Sequence, residues 1–189
     1  KKSVAQFETS WPKLEKNLLQ LEKLRAGGLY RVKNASNRYW TVDKSSHALK
    51  TTTDVSNTDF STLWLVERNG DGFAIRNAAT SRFVPQAEAK KNVTTSTGST
   101  RLWVNFFKTT PDFFNISANK EATVGSCLEE TNGNALVGGN ALTFTTKTNA
   151  ETNKVDTTFQ PNTAAEWQFV AVNDVSEEDV KAAIRQNSN

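Results

Sequence analysis

The 189-residue sequence has no methionine, a single cysteine and a single histidine. One cysteine excludes an intramolecular disulfide, and one histidine leaves no His/Cys/carboxylate cluster with the spacing of a metal site. No apolar run reaches the roughly 18 residues that a membrane-spanning helix needs. The lack of disulfides argues against a eukaryotic secreted domain, but it does not argue against a bacterial envelope protein. We therefore expect no metal, no cofactor and no membrane span.

Charge of one sign is also scarce, since the net charge is only +3. The basic residues are scattered among acidic ones and do not form a stripe interleaved with aromatics, so we expect no nucleic-acid site. The chain begins with Lys1-Lys2 and has no initiator methionine. We therefore expect it to be processed or cut from a larger protein. Separately, we expect that protein to be secreted or to belong to a bacterial cell envelope.

The sequence does contain one short phrase written three times. The phrase is an aromatic residue, any residue, a branched aliphatic residue and then a polar turn. Its copies follow one another at intervals of 43 and 41 residues and begin at Tyr30, Phe73 and Phe114. Each copy is followed by an apolar phrase that holds a tryptophan: Trp64, Trp103 and Trp167. A repeat of this length decides the architecture before any local pattern does.

Residues 28–173 alternate short apolar and polar runs between clusters of Asn, Gly, Ser and Asp. This pattern predicts strands of four to six residues and an all-β fold. The third unit is stretched, because Trp103 and Trp167 lie 64 residues apart whereas Trp64 and Trp103 lie 39 apart. The extra length falls between Asn132 and Asn162, where two alternating runs predict an inserted hairpin.

Both ends of the chain predict helices. Residues 1–27 predict an N-terminal amphipathic helix whose apolar stripe consists of Trp11, Leu14, Leu18 and Leu21. That stripe either packs on the domain itself or contacts a partner protein. Residues 174–189 predict a short C-terminal helix, because Ser176 is a favourable N-cap and acidic residues fill the first turn.

Each repeated unit is too small to bury a core of its own. Three units around a threefold axis, at about residues 28–70, 71–110 and 111–173, would close a six-stranded barrel capped by three hairpins. This arrangement is a β-trefoil. It makes two sets of positions equivalent in the core, namely Trp64, Trp103 and Trp167, and Val32, Ile75 and Ile116.

The repeated residues resemble those of a known family. Residues 30–34 and 73–77, together with the run from Ser56 to Trp64, are similar to the ricin-B-type β-trefoil lectins, especially their bacterial branch. The resemblance implies a non-catalytic binding module whose ligand is a carbohydrate. It is specific for the fold and much weaker for activity.

The resemblance does not extend to the sugar-binding residues of that family. Members that bind galactose-type sugars have an Asp on the second strand of a unit, an aromatic platform in the following hairpin and an amide before the tryptophan phrase. The Asp position falls on Thr41 in the first unit and on Val84 in the second, and the amide position falls on Ser61. An alternative is therefore a structural or protein-interaction domain that has lost sugar binding.

The candidate ligand site centres on the adjacent aromatics Tyr39 and Trp40, because one side chain of such a pair faces away from the core of a strand. Polar neighbours could bind sugar hydroxyl groups: Asn34, Asn37, Arg38 and Asp43. In the alternative interpretation, Trp40 closes the bottom of the barrel and Tyr39 covers a hairpin.

Nothing in the sequence indicates catalysis. His47 lies in a polar loop without a positioned partner, and Cys127 is typical of a small buried hydrophobic residue. The adjacent acids Glu129 and Glu130 point to different sides of a strand, and adjacent glutamates more often face solvent than form a catalytic pair. We therefore expect a protein that is not an enzyme.

Overall fold

The computed structural model describes Leu24 and residues 28–105, 112–120, 125–132 and 135–188. Short strands dominate these ranges, as the alternating pattern predicts. The strands are β1 (Gly28–Lys33), β2 (Tyr39–Val42), β3 (Leu49–Thr52), β4 (Trp64–Asn69), β5 (Gly72–Asn77), β6 (Trp103–Asn105), β7 (Asn115–Ser117), β8 (Cys127–Thr131), β9 (Ala135–Gly139), β10 (Leu142–Thr148), β11 (Val155–Pro161) and β12 (Gln168–Ala171). One α-helix, α1 (Glu177–Gln186), follows them, and 3₁₀ turns at Phe60–Thr62 and Thr163–Ala165 precede β4 and β12.

Six strands close a ring. Strand β1 pairs with β12 and β4, β4 pairs with β5, and β6 pairs with β7. Two single bridges complete the circle: Phe73 pairs with Leu102, and Phe114 pairs with Trp167. The predicted all-β trefoil is therefore confirmed, with β1, β4, β5, β6, β7 and β12 as its barrel.

The repeated aliphatic positions fill the centre of the barrel. Val32, Ile75 and Ile116 are each completely buried. Each lies opposite an apolar residue of the neighbouring strand: Phe169, Val66 and Val104. The predicted equivalence of this set is confirmed, because all three side chains hold the same place in the same kind of strand pair.

The tryptophan set needs one correction. The first residue of each repeated phrase pairs with Trp64 in the first unit, Leu102 in the second and Trp167 in the third. Leu102 is completely buried, whereas Trp103 is half-buried and lies beside the guanidinium group of Arg101. The prediction that Trp103 is the equivalent core residue is wrong, because successive residues of a strand face opposite sides.

Trp40 lies in the core between the tryptophans of the first and third units. Its ring makes edge-to-face contacts with Trp64 and Trp167, at centroid distances of 5.8 and 5.2 Å. The Trp64 indole donates a hydrogen bond to the carbonyl of Trp40 at 3.3 Å, and the Trp167 indole donates one to the carbonyl of Leu128 at 2.8 Å. These matching bonds make Trp40 and Leu128 equivalent positions in the first and third units.

The inserted hairpin is present as predicted. Strands β10 and β11 pair with each other over seven residues, from Leu142 opposite Pro161 to Thr148 opposite Val155. They form a two-stranded sheet that pairs with no other described strand. Asn162 holds its base, since its side chain donates to the carbonyl of Asn140 at 2.8 Å.

The C-terminal helix is also present. Ser176 caps α1 by accepting a hydrogen bond from the backbone N–H of Asp179. Val180 and Ile184 are buried against a cluster on the outside of the barrel: Leu29, Leu63, Leu65 and Ala78. The helix therefore covers the outer side of β1 and β4 and takes no part in the main core of the barrel.

The predicted N-terminal helix, with Trp11, Leu14, Leu18 and Leu21, lies outside the described residues. Leu24, the described residue nearest to that segment, is buried in the main core cluster. In the described part of the chain, no helix is long and apolar enough to cross a membrane.

Candidate functional site

The six residues predicted as a ligand site are placed in different environments. Trp40 has no exposed surface. The prediction that Trp40 binds a ligand is therefore wrong, because its ring packs between two other tryptophans in the core. Of the aromatic pair, only Tyr39 reaches the surface, where it is half-exposed.

Asn34 and Arg38 join the first unit to the third. The side-chain oxygen of Asn34 accepts the backbone N–H groups of Ser36 and Arg38, both at 3.0 Å, and so shapes the turn after β1. Its amide donates to the carboxylate of Glu130 at 2.6 Å. The guanidinium of Arg38 lies 3.4 Å from the same carboxylate and also binds Thr51 at 3.0 Å. These contacts shape the backbone of the turn after β1 and link the first unit to the third.

Asp43 organises the turn between β2 and β3. Its carboxylate accepts the backbone N–H of Ser46, the backbone N–H and hydroxyl of Ser45, and the ammonium of Lys50. The hydrogen bond from Ser46, followed by those from Ser45 and Lys50, holds the pKa of Asp43 well below its usual range. The carboxylate is thus charged and occupied by its own turn.

Asn37 and Tyr39 share a small surface patch with Lys33. Asn37 has a left-handed backbone with φ of 56° and accepts a hydrogen bond from the Lys33 ammonium at 2.8 Å. The same ammonium lies 6.0 Å from the centroid of the Tyr39 ring. This patch offers one aromatic face and one amide, and the prediction that it binds a ligand remains a prediction.

The first unit lacks a carboxylate at the position that the family resemblance marks. Thr41 follows Trp40 on β2 and faces away from the core. Its hydroxyl contacts the hydroxyl of Ser61 at 3.2 Å, across the site where the family would place an Asp and an amide. Both groups are neutral hydroxyls, so this position of the first unit supplies no charged acceptor.

The third unit places an acid at that position. Because Leu128 is equivalent to Trp40, Glu129 is equivalent to Thr41. Glu129 is half-buried on the outer face of β8, and one of its oxygens accepts the backbone N–H of Asn140 at 3.1 Å. The Asn140 side chain in turn accepts the backbone N–H of Gly125 at 2.8 Å. In the described part of the chain, no hydrogen bond is formed by the second oxygen of Glu129.

A cleft of about 440 Å³ opens beside this carboxylate. Its polar lining comes from β8, the end of β9 and the loop that runs past them, and consists chiefly of Glu129, Asn140, Asn92, Lys90 and Thr131. Gly139 forms part of the wall, and a Cβ atom there would overlap the carboxylate of Glu129. Glycine at this position is therefore what allows Glu129 to lie along the strand and face the cleft.

A second, smaller cleft of about 240 Å³ lies on the other side of the turn after β8. Glu130, Asn34 and Thr163 line it, and it shares Thr131 and Asn132 with the larger cleft. Its carboxylate already binds Asn34 and Arg38. The larger cleft is thus the one in which an acidic oxygen remains available to a ligand.

Sequence reasoning missed Glu129 as a site residue. The distance from Trp40 to Trp64 is 24 residues, whereas the equivalent distance from Leu128 to Trp167 is 39, because the β10–β11 hairpin lies between them. Counting back from the tryptophan therefore fails in the third unit. The alternating runs that predict the hairpin were the available signal, since removing it restores a comparable spacing.

Comparison with known proteins is informative at the level of the fold. No family model matches the sequence, and no curated protein matches it. Among solved structures, the ricin B-like lectin of Macrolepiota procera in complex with lactose matches with a TM-score of 0.53 at 8% identity, over 76% of this chain and 95% of that chain. The described chain has the fold of a ricin B-like lectin.

Two further structures support the same assignment. The Rhizoctonia solani agglutinin matches with a TM-score of 0.52 at 17% identity, over 77% of this chain and 96% of that one. The Polyporus squamosus lectin, bound to a human-type influenza-binding epitope, matches with a TM-score of 0.51 at 19% identity, over 76% of this chain and 49% of that one. At these identities the ricin B-like fold is shared, and the binding residues must be argued from this chain itself.

Proposed function

We propose that this chain is a non-catalytic, lectin-like module that binds carbohydrate in the cleft around Glu129. The observation that carries the proposal is the position of Glu129. In a fold shared with lectins, Glu129 lies at the position that Thr41 holds in the first unit. Among the described residues at equivalent positions of the units, it is the one that carries a carboxylate, and this carboxylate faces a cleft. The fold alone would support the class of ligand but not its location.

The chemistry of the cleft suits a polyhydroxylated ligand. An ionised carboxylate only accepts hydrogen bonds, so Glu129 would accept from sugar hydroxyl groups. The amides of Asn92 and Asn140 each supply both donors and acceptors, and Lys90 supplies a donor at the rim. No aromatic side chain lines the cleft among the described residues, so ring stacking plays no part in the proposal.

The same cleft supports the proposal that the module is not an enzyme. Glycoside hydrolysis usually needs two carboxyl groups that face each other across the scissile bond. Among the described residues that line this cleft, Glu129 alone carries a carboxyl group. Nearby, burial raises the pKa of the Cys127 thiol to about 11, which leaves it protonated and unreactive at neutral pH.

A glycan array tests the proposal directly. We would probe the array with the full chain, with Glu129→Gln and with a control, Glu67→Gln, which removes an equivalent charge from an exposed position on β4. We expect the wild type and the control to bind the same glycans. We expect Glu129→Gln to bind them at least about tenfold more weakly, because a charged acceptor contributes more than about 1.4 kcal/mol.

Two outcomes would overturn the proposal. Absence of binding to every glycan would remove carbohydrate as the ligand class. Equal binding by the wild type and Glu129→Gln would remove the cleft as the site, and the surface patch of Asn37 and Tyr39 would then become the position to test.

The setting of the module is also part of the proposal. We infer a larger secreted or bacterial envelope protein, within which residues 1–27, 28–173 and 174–189 act as a leading helix, the trefoil and a closing helix. The single cysteine is compatible with this setting, because a bacterial envelope domain can fold without disulfides. An export signal in the full reading frame would agree with this setting, and a frame without one would contradict it.

A second candidate function is a structural or protein-interaction module. The observation that favours it is the β10–β11 hairpin, whose exposed Phe144 and Phe159 take no part in the barrel or the cleft. In this alternative, the predicted stripe of Trp11, Leu14, Leu18 and Leu21 would be a further contact surface.

A further inference from the structure

The β10–β11 hairpin has an exposed apolar face with an unusual composition. Register places eight residues on that face, in four opposed pairs: Leu142 with Pro161, Phe144 with Phe159, Thr146 with Thr157, and Thr148 with Val155. None of these residues is charged. Phe144 and Phe159 are each 64% exposed and Val155 is 59% exposed, although large apolar side chains are usually buried in soluble proteins.

The opposite face of the hairpin is polar. It carries Thr143 with Gln160, Thr145 with Thr158, and Lys147 with Asp156. Lys147 and Asp156 lie directly opposite each other, so the charges of this face are balanced. The hairpin therefore has one polar face and one apolar face, which is typical of a strand pair whose apolar face is covered.

Nothing in the described part of the chain covers the apolar side. Every residue from Thr143 to Gln160 is exposed, and the two Phe rings contact each other with centroids 6.4 Å apart. A two-stranded hairpin alone is only marginally stable in water. A surface laid against the apolar side would add the missing burial.

We propose that a second copy of this chain covers this face, with the two hairpins packed face to face about a twofold axis. A twofold contact needs a self-complementary surface. This face meets that need, because it holds no charge that a copy would bring against a like charge. It also alternates large rings with small Thr side chains that can interdigitate.

The hairpin is less suited to a lipid surface. Within the described ranges, each strand of the hairpin has one edge of backbone N–H and C=O groups that pairs with no other strand. Between two packed hairpins these edges stay at the rim in water, whereas lipid would leave them without hydrogen-bond partners. The charged residues of the hairpin are Lys147, Glu151, Lys154 and Asp156, so no net positive charge draws it to an anionic membrane.

The small size of the face predicts a weak dimer. Two Phe rings and one Val from each copy place the interface at the low end of specific contacts. We therefore expect reversible, concentration-dependent association in the micromolar range. This proposal is independent of carbohydrate binding, since Phe144 and Phe159 do not line the Glu129 cleft.

Sedimentation velocity over a concentration series tests the proposal. The full chain is compared with Phe144→Ser/Phe159→Ser and with a control on the polar face, Thr145→Ser/Thr158→Ser. We expect the wild type and the control to shift from monomer to dimer at the same concentrations. We expect the Phe variant to need at least about tenfold higher concentration to dimerise, because aromatic anchors dominate such contacts.

A second variant covers the case in which the Phe variant loses its hairpin. Thr146→Lys keeps both rings but brings two like charges together across the twofold axis, so we expect it to weaken the dimer as well. Circular dichroism confirms that each variant keeps the fold. A wild type that stays monomeric at all concentrations, or variants that dimerise as well as the wild type, would overturn the proposal.

Binding to neutral phosphatidylcholine vesicles that needs Phe144 and Phe159, with no dimer in solution, would instead assign the face to lipid and would also overturn the proposal. Loss of glycan-array signal in the Phe variant, again without a dimer, would assign the face to sugar and have the same consequence. The Glu129→Gln variant separates the two proposals, because we expect it to lose glycan binding and to dimerise normally.

Discussion

At the scale of single residues, the trefoil depends on a tryptophan that the repeat does not contain. Trp40 lies outside the repeated phrases, yet its ring contacts the tryptophans of the first and third units. Its indole nitrogen is buried without a hydrogen-bond partner among the described residues, which is a cost that the surrounding apolar contacts must offset. Strand alternation explains why Tyr39 takes the surface and Trp40 takes the core.

The contrast between these neighbours yields a prediction about stability. Trp40→Ala should lower the free energy of unfolding by about 3–5 kcal/mol, because it leaves a large cavity between two other rings. Tyr39→Ala should cost less than about 1 kcal/mol, because half of that side chain is already in water. Urea unfolding of both variants measures the difference.

Equal costs for the two substitutions would contradict the placement of Trp40 in the core. The same result bears on ligand assays, since loss of binding in Trp40→Ala would report unfolding and not loss of a sugar contact. Tyr39→Ala is therefore the variant that tests the predicted surface patch.

At the scale of elements, the C-terminal helix acts as a cover for the outside of the barrel. It buries Val180 and Ile184 over Leu29 and Leu65, and the hydroxyl of Ser81 donates to the carbonyl of Ile184 at 2.7 Å. The sequence predicts the helix from its cap and acidic first turn. The place where it docks could not be predicted, because the outward residues of β1 and β4 are identified only once the barrel register is known.

A helix that covers an apolar cluster should contribute to the stability of the whole fold. Ser176→Ala should lower the free energy of unfolding by about 1 kcal/mol, because the backbone N–H of Asp179 loses its acceptor. Ser36→Ala, at an exposed position in the turn after β1, is the matched control and should have little effect, because that hydroxyl caps no helix. Thermal or urea unfolding compares the two variants.

If Ser176→Ala left stability unchanged while the helix content fell, the helix would be an independent appendage. We expect instead a single unfolding transition, because Leu29 and Leu65 of the barrel pack directly under α1.

For the hairpin insertion, the sequence predicts the two strands but not what surrounds them. Its alternating runs predict both strands, and the structure confirms them at Leu142–Thr148 and Val155–Pro161. Their isolation from the main sheet could not be predicted, because alternation alone does not say whether the apolar side meets the core, a partner or water.

At the scale of the whole molecule, the repeated phrase was sufficient to predict the trefoil. Its aromatic and aliphatic positions are core positions, and the core is what a threefold repeat preserves. The equivalence of Trp103 was predicted wrongly because the second unit has Leu102 where the other units have tryptophan. The sequence pattern matches the units by their large side chain, whereas the strand register determines which residue occupies the core position.

The candidate site was harder to predict for a related reason. Binding residues lie between the repeated phrases, where the units differ in length. Because of the insertion in the third unit, counting back from Trp167 does not align Glu129 with Thr41. The adjacent aromatics Tyr39 and Trp40 instead favoured a site in the first unit. The structure restores the equivalence because matching indole hydrogen bonds fix Leu128 against Trp40.

We propose that one cleft of the third unit binds the ligand of this lectin-like fold. The most direct test is an NMR titration of the isotopically labelled full chain with the strongest glycan from the array. We predict that the largest amide shifts fall on residues of the cleft: Glu129, Val137, Gly139 and Asn140. Shifts concentrated instead on Asn37, Tyr39 and Asp43, with the cleft unchanged, would contradict the claim.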